Sequence, residues 1–161
     1  MVEMFIDPGL ITGWAAFTNG RYCGESGTIS STRIDDLHSD KANYILDRFE
    51  KLINTQELGS FYIEGVDMRG GRGNYSAIMR GDLTRLAYLV GALQARAAQR
   101  ADAYIVSPLW KGNLSKDAMR VQLKLMEPGI DTTVIKNHEA DAVAMGVFKY
   151  KNRWIKNWRI G

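Results

Sequence analysis

Four side chains of the sequence are of the types that bind divalent metals and activate water: Asp7, Glu64, His138 and Asp141. Asp7 follows the apolar run Met4-Phe5-Ile6 and is itself followed by Pro8-Gly9, which predicts a carboxylate at the end of a strand. Hard cations such as Mg²⁺ prefer oxygen ligands, so this position suits a metal site. An Asp before Pro-Gly is also a common turn residue, and for Asp7 alone the turn is the better interpretation.

Two further acids occupy comparable positions and favour the metal site. Glu64 ends a second apolar run, Phe61-Tyr62-Ile63. Asp141 comes three residues after His138, so these two side chains share one face of a predicted helix. Glu139 points about a quarter-turn away, and we interpret it as an acid stabilised by the dipole of a helix N-terminus.

The elements that carry these residues begin with three strands, predicted at Met4–Ile6, Gly13–Thr18 and Arg21–Ile29. Asn19-Gly20 is a strong signal for a two-residue hairpin between the last two. Apolar residues then recur at helical spacing and predict a helix that ends before Leu58-Gly59: Ala42, Ile45, Leu46, Phe49, Leu52 and Ile53. A strand that follows such a crossover should lie parallel to the first strand, which places Glu64 beside Asp7.

The second half of the chain predicts one more strand and three helices. The helices extend from Ser76 to Ala98, from a Ser115 N-cap to Met126, and from an Asn137 cap to Phe148, and the strand covers Ala103–Val106. We therefore predict an α/β fold with a mixed five-stranded sheet, three antiparallel strands and then two parallel ones, flanked by helices on both faces. The first of these helices has too many small and apolar residues for one core-facing stripe, which predicts a homodimer interface.

Length and composition predict one domain over residues 1–161, because 161 residues with 45% apolar and 24% charged side chains can bury a proper core. No apolar run approaches the length of a membrane span and no signal peptide is visible, so we expect a cytoplasmic protein without a membrane partner. The lone Cys23 excludes an internal disulfide. We expect Cys23 to be a small core residue.

Positive charge is segregated along the chain. Six arginines but only one acid, Asp82, lie between Arg69 and Arg100, and a tail that begins at about residue 149 is basic throughout. The loop over 65–74 is rich in glycine and arginine, and follows Glu64 directly; a simple solvated loop is the alternative to a phosphate-binding one. Segregated cations beside carboxylates suit metal chemistry on a bound polyanion. The candidate DNA-binding residues are Arg69, Arg72, Arg80, Lys111 and Lys116.

Four blocks of residues occur in this order along the chain: Phe5-Ile6-Asp7-Pro8-Gly9 with Gly13-Trp14, Tyr62-Ile63-Glu64, Pro108 with Lys111, Gly112 and Lys116, and His138 with Asp141-Ala142-Val143-Ala144. In these blocks the sequence resembles the RuvC family of Holliday-junction resolvases, within the ribonuclease H-like superfamily, as found in bacteria and phages. The resemblance spans nearly the whole chain. Two departures are the reduction of a glycine-rich stretch to Gly112 and the presence of Asp67 and Met68 where an aromatic residue is expected to stack on a base.

The resemblance implies a homodimeric endonuclease that cuts four-way DNA junctions with Mg²⁺ or Mn²⁺, in the cytoplasm of a bacterial or phage-infected cell. Asp7, Glu64 and Asp141 correspond to metal-ligand acids of the family, and His138 corresponds to a fourth ligand. Lys111 and Lys116 match basic residues near the scissile phosphate, and we include Lys116 among the catalytic residues.

The chemistry of the residues agrees with this implication. Two metals about 4 Å apart can activate a water and relieve the charge on phosphorus during phosphodiester hydrolysis. Asp7 is the natural bridging ligand because it is central, and His138 can ligate a metal or act on the attacking water. One alternative is a nuclease of the same fold that acts on flaps, forks or other branched DNA. Another is a non-catalytic DNA-binding protein, although a pure binder gains nothing from three carboxylates that face phosphates.

Overall fold

The computed structural model describes residues 1–32, 38–55, 57–66, 81–112 and 114–151. The described helices and a short 3₁₀ turn (Pro108–Lys111) surround a five-stranded sheet. The strands are β1 (Val2–Asp7), β2 (Ile11–Thr18), β3 (Arg21–Ser30), β4 (Leu58–Glu64) and β5 (Asp102–Val106). The helices are α1 (His38–Ile53), α2 (Asp82–Ala98), α3 (Lys116–Met126) and α4 (Asn137–Tyr150).

The sheet confirms the predicted topology. Its strand order is β3-β2-β1-β4-β5, with β1 antiparallel to β2, β2 antiparallel to β3, and β4 parallel to both β1 and β5. The predicted hairpin is present, with Asn19 and Gly20 both at positive φ. Since β1 and β4 run in the same direction as neighbours, Asp7 and Glu64 end at the same edge of the sheet.

The two faces of the sheet bury separate cores. Side chains alternate along β1, so that Met4 and Ile6 pack under α1 and α2, whereas Phe5 packs against α3 and α4. Helix α4 is enclosed: nine consecutive residues, 140–148, are buried. Its N-terminus lies against β2 at Gly13, where a Cβ atom would collide with the backbone of His138. This glycine therefore permits the close approach that carries α4 to the edge where β1 ends.

Three local predictions are corrected by the structure. Cys23 is exposed because it lies on β3, an edge strand whose residues are largely open to solvent. Helix α2 begins at Asp82, and the helix predicted from Ser76 is not continuous through Gly81, which adopts a left-handed φ of 72°. Residues 76–80 lie outside the described part of the chain.

The N-cap of α4 is Lys136 rather than Asn137. Asn137 is the first residue of the helix, and its Oδ1 accepts a hydrogen bond from Arg120 of α3 at 2.9 Å. The side chain of Asn137 therefore binds a residue of another helix, whereas the local pattern predicts that it caps its own helix. The Ser115 cap of α3 is confirmed, since its hydroxyl accepts from the backbone N–H of Ala118.

The basic C-terminal tail is described only as far as Lys151; residues 152–161 lie outside the described part. Within the ranges that the structure describes, no helix is both long and apolar enough to cross a membrane.

Candidate metal centre

Asp7 and His138 meet at the edge of the sheet, although 131 residues separate them in sequence. Nδ1 of His138 lies 2.7 Å from Oδ2 of Asp7, and both side chains are partly shielded from solvent. The hydrogen bond that Asp7 accepts from the imidazole raises the pKa of His138, since the negative carboxylate favours a protonated imidazole.

Asp141 lies one helical turn after His138 and is buried. Its Oδ1 has no hydrogen-bond partner among the described residues, and the nearest cation, Nζ of Lys111, is 3.8 Å away. Burial is the main cause that raises the pKa of Asp141; Lys111 opposes that effect and the charge of Asp7 adds to it. One ligand atom from each of Asp7, His138 and Asp141 lies within 4.8 Å of the other two.

Glu64 lies at the end of the neighbouring strand and is not a member of that three-residue group. Its Oε2 accepts a hydrogen bond from the indole Nε1–H of Trp110 at 3.0 Å. Burial, and then the charge of Asp7, raise the pKa of Glu64 to about 7. The structure thus brings three of the four predicted ligands into one cluster and places the fourth within electrostatic reach of Asp7.

These residues fit a divalent cation. A buried carboxylate oxygen without a partner is costly, and a cation would supply that partner to Oδ1 of Asp141. Mutual repulsion of Asp7, Glu64 and Asp141 contributes to the raised pKa values of Glu64 and Asp141, and a cation would relieve it. Carboxylate oxygens with one imidazole nitrogen suit Mg²⁺ or Mn²⁺.

The chain matches known proteins in structure but not in sequence. No family model matches the chain, and no curated protein matches it. Among solved structures, T. thermophilus RuvC in complex with Holliday junction substrate is similar over 99% of both chains, with a TM-score of 0.71 and 16% identity. The chain has the RuvC fold. A second Thermus thermophilus RuvC structure gives a TM-score of 0.66 and 15% identity, over 99% of this chain and 100% of that one.

The two predicted lysines lie on the same side of the RuvC fold as the acids. Lys111 is half-buried beside Asp141, with Nζ 5.6 Å from the ring centre of Trp110. Lys116 is exposed at the start of α3. It lies close enough for its positive charge to oppose the rise in the pKa of both His138 and Asp141. Arg69, Arg72 and Arg80 lie outside the described residues, as do Asp67 and Met68.

Glu139 is part of the support of this site. Its Oε2 accepts from the backbone N–H of Lys136 at 3.1 Å, and its Oε1 accepts from Oγ of Ser26 at 2.6 Å. The first bond agrees with its predicted place at a helix N-terminus. The second ties α4 to the edge strand β3, and no local pattern indicated it.

Arg120 and Trp110 are site-supporting residues that the sequence analysis missed. The guanidinium of Arg120 donates to the backbone carbonyls of Thr132 and Ile135 as well as to Asn137, and so holds the segment that enters α4. Because Arg120 binds backbone carbonyls that lie 12 and 15 residues further along the chain, no pattern of side chains in the sequence indicates these bonds. Trp110, in a predicted loop, could be identified only once β4 and β5 were known to be neighbours.

Proposed function

We propose that the protein is an endodeoxyribonuclease that resolves four-way DNA junctions by metal-dependent phosphodiester hydrolysis. The observation that carries the proposal is the buried Oδ1 of Asp141, which accepts no hydrogen bond from the described residues and lies in a cluster with Asp7 and His138, at the edge of a sheet with the RuvC fold. One similar structure is a complex with Holliday junction substrate, which supports a branched substrate for this chain.

In this proposal Asp7, His138 and Asp141 would hold Mg²⁺ or Mn²⁺, Glu64 would complete a site for two ions, and Asp7 would contribute to the binding of both. When bound, the metals would activate the attacking water and stabilise the charge that develops on the phosphoryl oxygens. His138, in contact with Asp7 through Nδ1, would serve either as a metal ligand or as the acceptor of a proton from water.

Lys111 and Lys116 provide positive charge for the scissile phosphate. Lys111 is constrained by Trp110 and Asp141, so it can act on a phosphate with little loss of side-chain freedom. Lys116 is exposed and can reach a bound strand. Arg69, Arg72 and Arg80 belong to the same proposal on sequence grounds and would bind the DNA backbone on either side of the cut.

Two coordinated cuts in a junction need two active sites, and we propose a homodimer formed through α2. The outer face of this helix carries small exposed residues, among them Gly91 and Ala95, next to Tyr88, which is 61% exposed. A Cβ atom added to Gly91 would meet no atom of the neighbouring described residues within 4 Å. This face therefore allows another helix to approach closely.

The test compares cleavage of a synthetic four-way junction, a flap, a fork and a linear duplex, each with and without Mg²⁺. We expect paired cuts in the junction, only with metal, and none with the Asp141→Asn variant. Stronger cleavage of the flap or fork would still support a nuclease, but one whose preferred substrate is not the four-way junction. Junction binding without cleavage in the presence of Mg²⁺ would favour a non-catalytic DNA-binding protein. A role on DNA of this kind places the protein in the cytoplasm of a bacterial or phage-infected cell.

A further inference from the structure

Trp110 is a fully buried side chain whose one polar atom points at a proposed metal-binding acid. Its indole Nε1–H donates to Oε2 of Glu64 at 3.0 Å. A buried indole N–H generally needs an acceptor, and core packing alone would be satisfied by an aromatic ring without a polar atom.

The ring of Trp110 is held rigidly. It lies in the 3₁₀ turn that follows β5, where its backbone N–H donates to the carbonyl of Ser107 at 3.0 Å. Phe148 of α4 packs edge-to-face on the ring, with centroids 5.4 Å apart and planes at 85°. Val106, at the end of β5, pairs with Glu64 at the end of β4, so adjacent strands bring the indole and the carboxylate together.

The chemistry of the donor matters for a metal ligand. An indole N–H is neutral, so it orients a carboxylate without cancelling the negative charge that attracts a cation. A lysine or arginine in its place would compete with the metal. One oxygen of Glu64 is engaged by Trp110, which leaves Oε1 as the oxygen for a metal ion.

We propose that Trp110 is a positioning residue that orients Glu64 for metal binding through its indole N–H. This inference rests on the proposed function, since it assigns Glu64 to the metal site. Outer partners of metal ligands typically contribute ten- to one-hundred-fold to metal affinity, because they restrict the ligand to its binding orientation.

Titration calorimetry with Mn²⁺, without DNA, tests the inference on three proteins: wild type, Trp110→Phe and Phe148→Leu. Trp110→Phe removes the N–H and keeps an aromatic ring, whereas Phe148→Leu disturbs the packing of the same ring and keeps the N–H. We expect Mn²⁺ to bind about ten- to one-hundred-fold more weakly to Trp110→Phe. Phe148→Leu should retain an affinity within about three-fold of wild type, because the bond to Glu64 persists. Equal affinities of wild type and folded Trp110→Phe would overturn the inference.

A second measurement leaves Trp110 unchanged and so does not depend on the folding of a Trp110 variant. Of the four tryptophans, Trp14, Trp154 and Trp158 are changed to Phe one at a time, which assigns the indole N–H resonance of Trp110 by elimination. During a Mg²⁺ titration that resonance should shift with the midpoint given by calorimetry with Mg²⁺. A resonance that does not move at saturation would overturn the inference, even if Trp110→Phe does not fold.

The proposed function and this inference can fail separately. Wild type that binds Mn²⁺ but cuts no DNA would refute the nuclease, and weaker binding by Trp110→Phe would still support the positioning role. Unchanged binding by Trp110→Phe in an active nuclease would refute only the positioning role. Wild type that binds no metal would overturn both.

Discussion

His138 Nδ1 lies 2.7 Å from Asp7 Oδ2, so a histidine and a carboxylate are in direct contact at the candidate site. The same carboxylate is the proposed bridging ligand for metal. A proton on His138 strengthens this pair, and the raised pKa of His138 follows from it. A cation bound by Asp7 would therefore compete with protonated His138 for the carboxylate, which makes the charge state of this pair central to the proposed activity.

The acids at the ends of β1 and β4 should be essential for cleavage and dispensable for binding. We expect Asp7→Asn or Glu64→Gln to lower junction cleavage by at least about 10³-fold, because either change removes metal-ligand charge. Junction affinity should stay the same or increase, since a carboxylate repels phosphate. Gel-shift and single-turnover assays measure the two effects, and wild-type cleavage in either variant would refute the assignment.

His138 should affect metal and pH dependence before it affects folding. His138→Ala should fold normally and lose most activity, whereas His138→Asp should retain a fraction of it with Mg²⁺. A nitrogen ligand also makes wild type relatively more tolerant of Mn²⁺ than the Asp variant. Cleavage profiles over pH in both metals are the measurement. Full activity of His138→Ala, with an unchanged profile, would leave a site of three carboxylates.

Glu64 should lower the stability of the metal-free protein at neutral pH. Its pKa rises from an ordinary 4.5 to about 7 on folding, so between these values the folded state binds more protons than the unfolded state. The free energy of unfolding should therefore fall as the pH rises through this window, and remain low above it. Glu64→Gln should raise the stability at pH 8 by about 3 kcal/mol, with little change at pH 4.

Urea unfolding with a chelator present measures this effect. Glu50→Gln is the matched control, since it makes the same change at an exposed carboxylate paired with Arg96. Exposed pairs contribute little, so the control should leave the pH dependence almost unchanged. A Glu64→Gln variant with the pH dependence of wild type would show that the carboxyl does not titrate as argued.

The lysines and arginines should act on different kinetic steps. Lys111→Ala and Lys116→Ala should lower the single-turnover cleavage rate by about 10- to 100-fold with less effect on affinity, because both cations lie beside the cluster of acids. Arg69→Ala, Arg72→Ala and Arg80→Ala should mainly weaken binding and reduce its salt dependence. If all five variants lost affinity alone, the lysines would have no role in catalysis.

The dimer should depend on the exposed face of α2. Gly91→Glu adds charge at a position with open space, so the monomer should fold while the proposed helix contact is lost. Light scattering at micromolar concentration should give a dimer for wild type and a monomer for this variant. Gln99→Glu, just beyond the end of the helix, is the control and should remain a dimer. A monomeric wild type, with junction bound, would contradict the proposal.

Local spacing and connection rules determined much of the fold. The apolar runs located the strands, Asn19-Gly20 located the hairpin, and the crossover helix set β4 parallel to β1. These features depend on residues near in sequence or on the general handedness and length of connections. They can therefore be predicted without knowing which distant residues are in contact. For the same reason the sequence by itself placed Asp7 and Glu64 at strand ends on one edge.

The tertiary structure decided which side chains meet. The contact of Asp7 with His138 spans 131 residues, and that of Trp110 with Glu64 spans 46. The local pattern predicts Asn137 as a helix cap, whereas its side chain binds Arg120 in the fold. The pattern also predicts Cys23 in the core, whereas β3 is an edge strand. Such pairings depend on which surfaces the packed helices bring within a few ångströms, and spacing along the chain does not encode that distance.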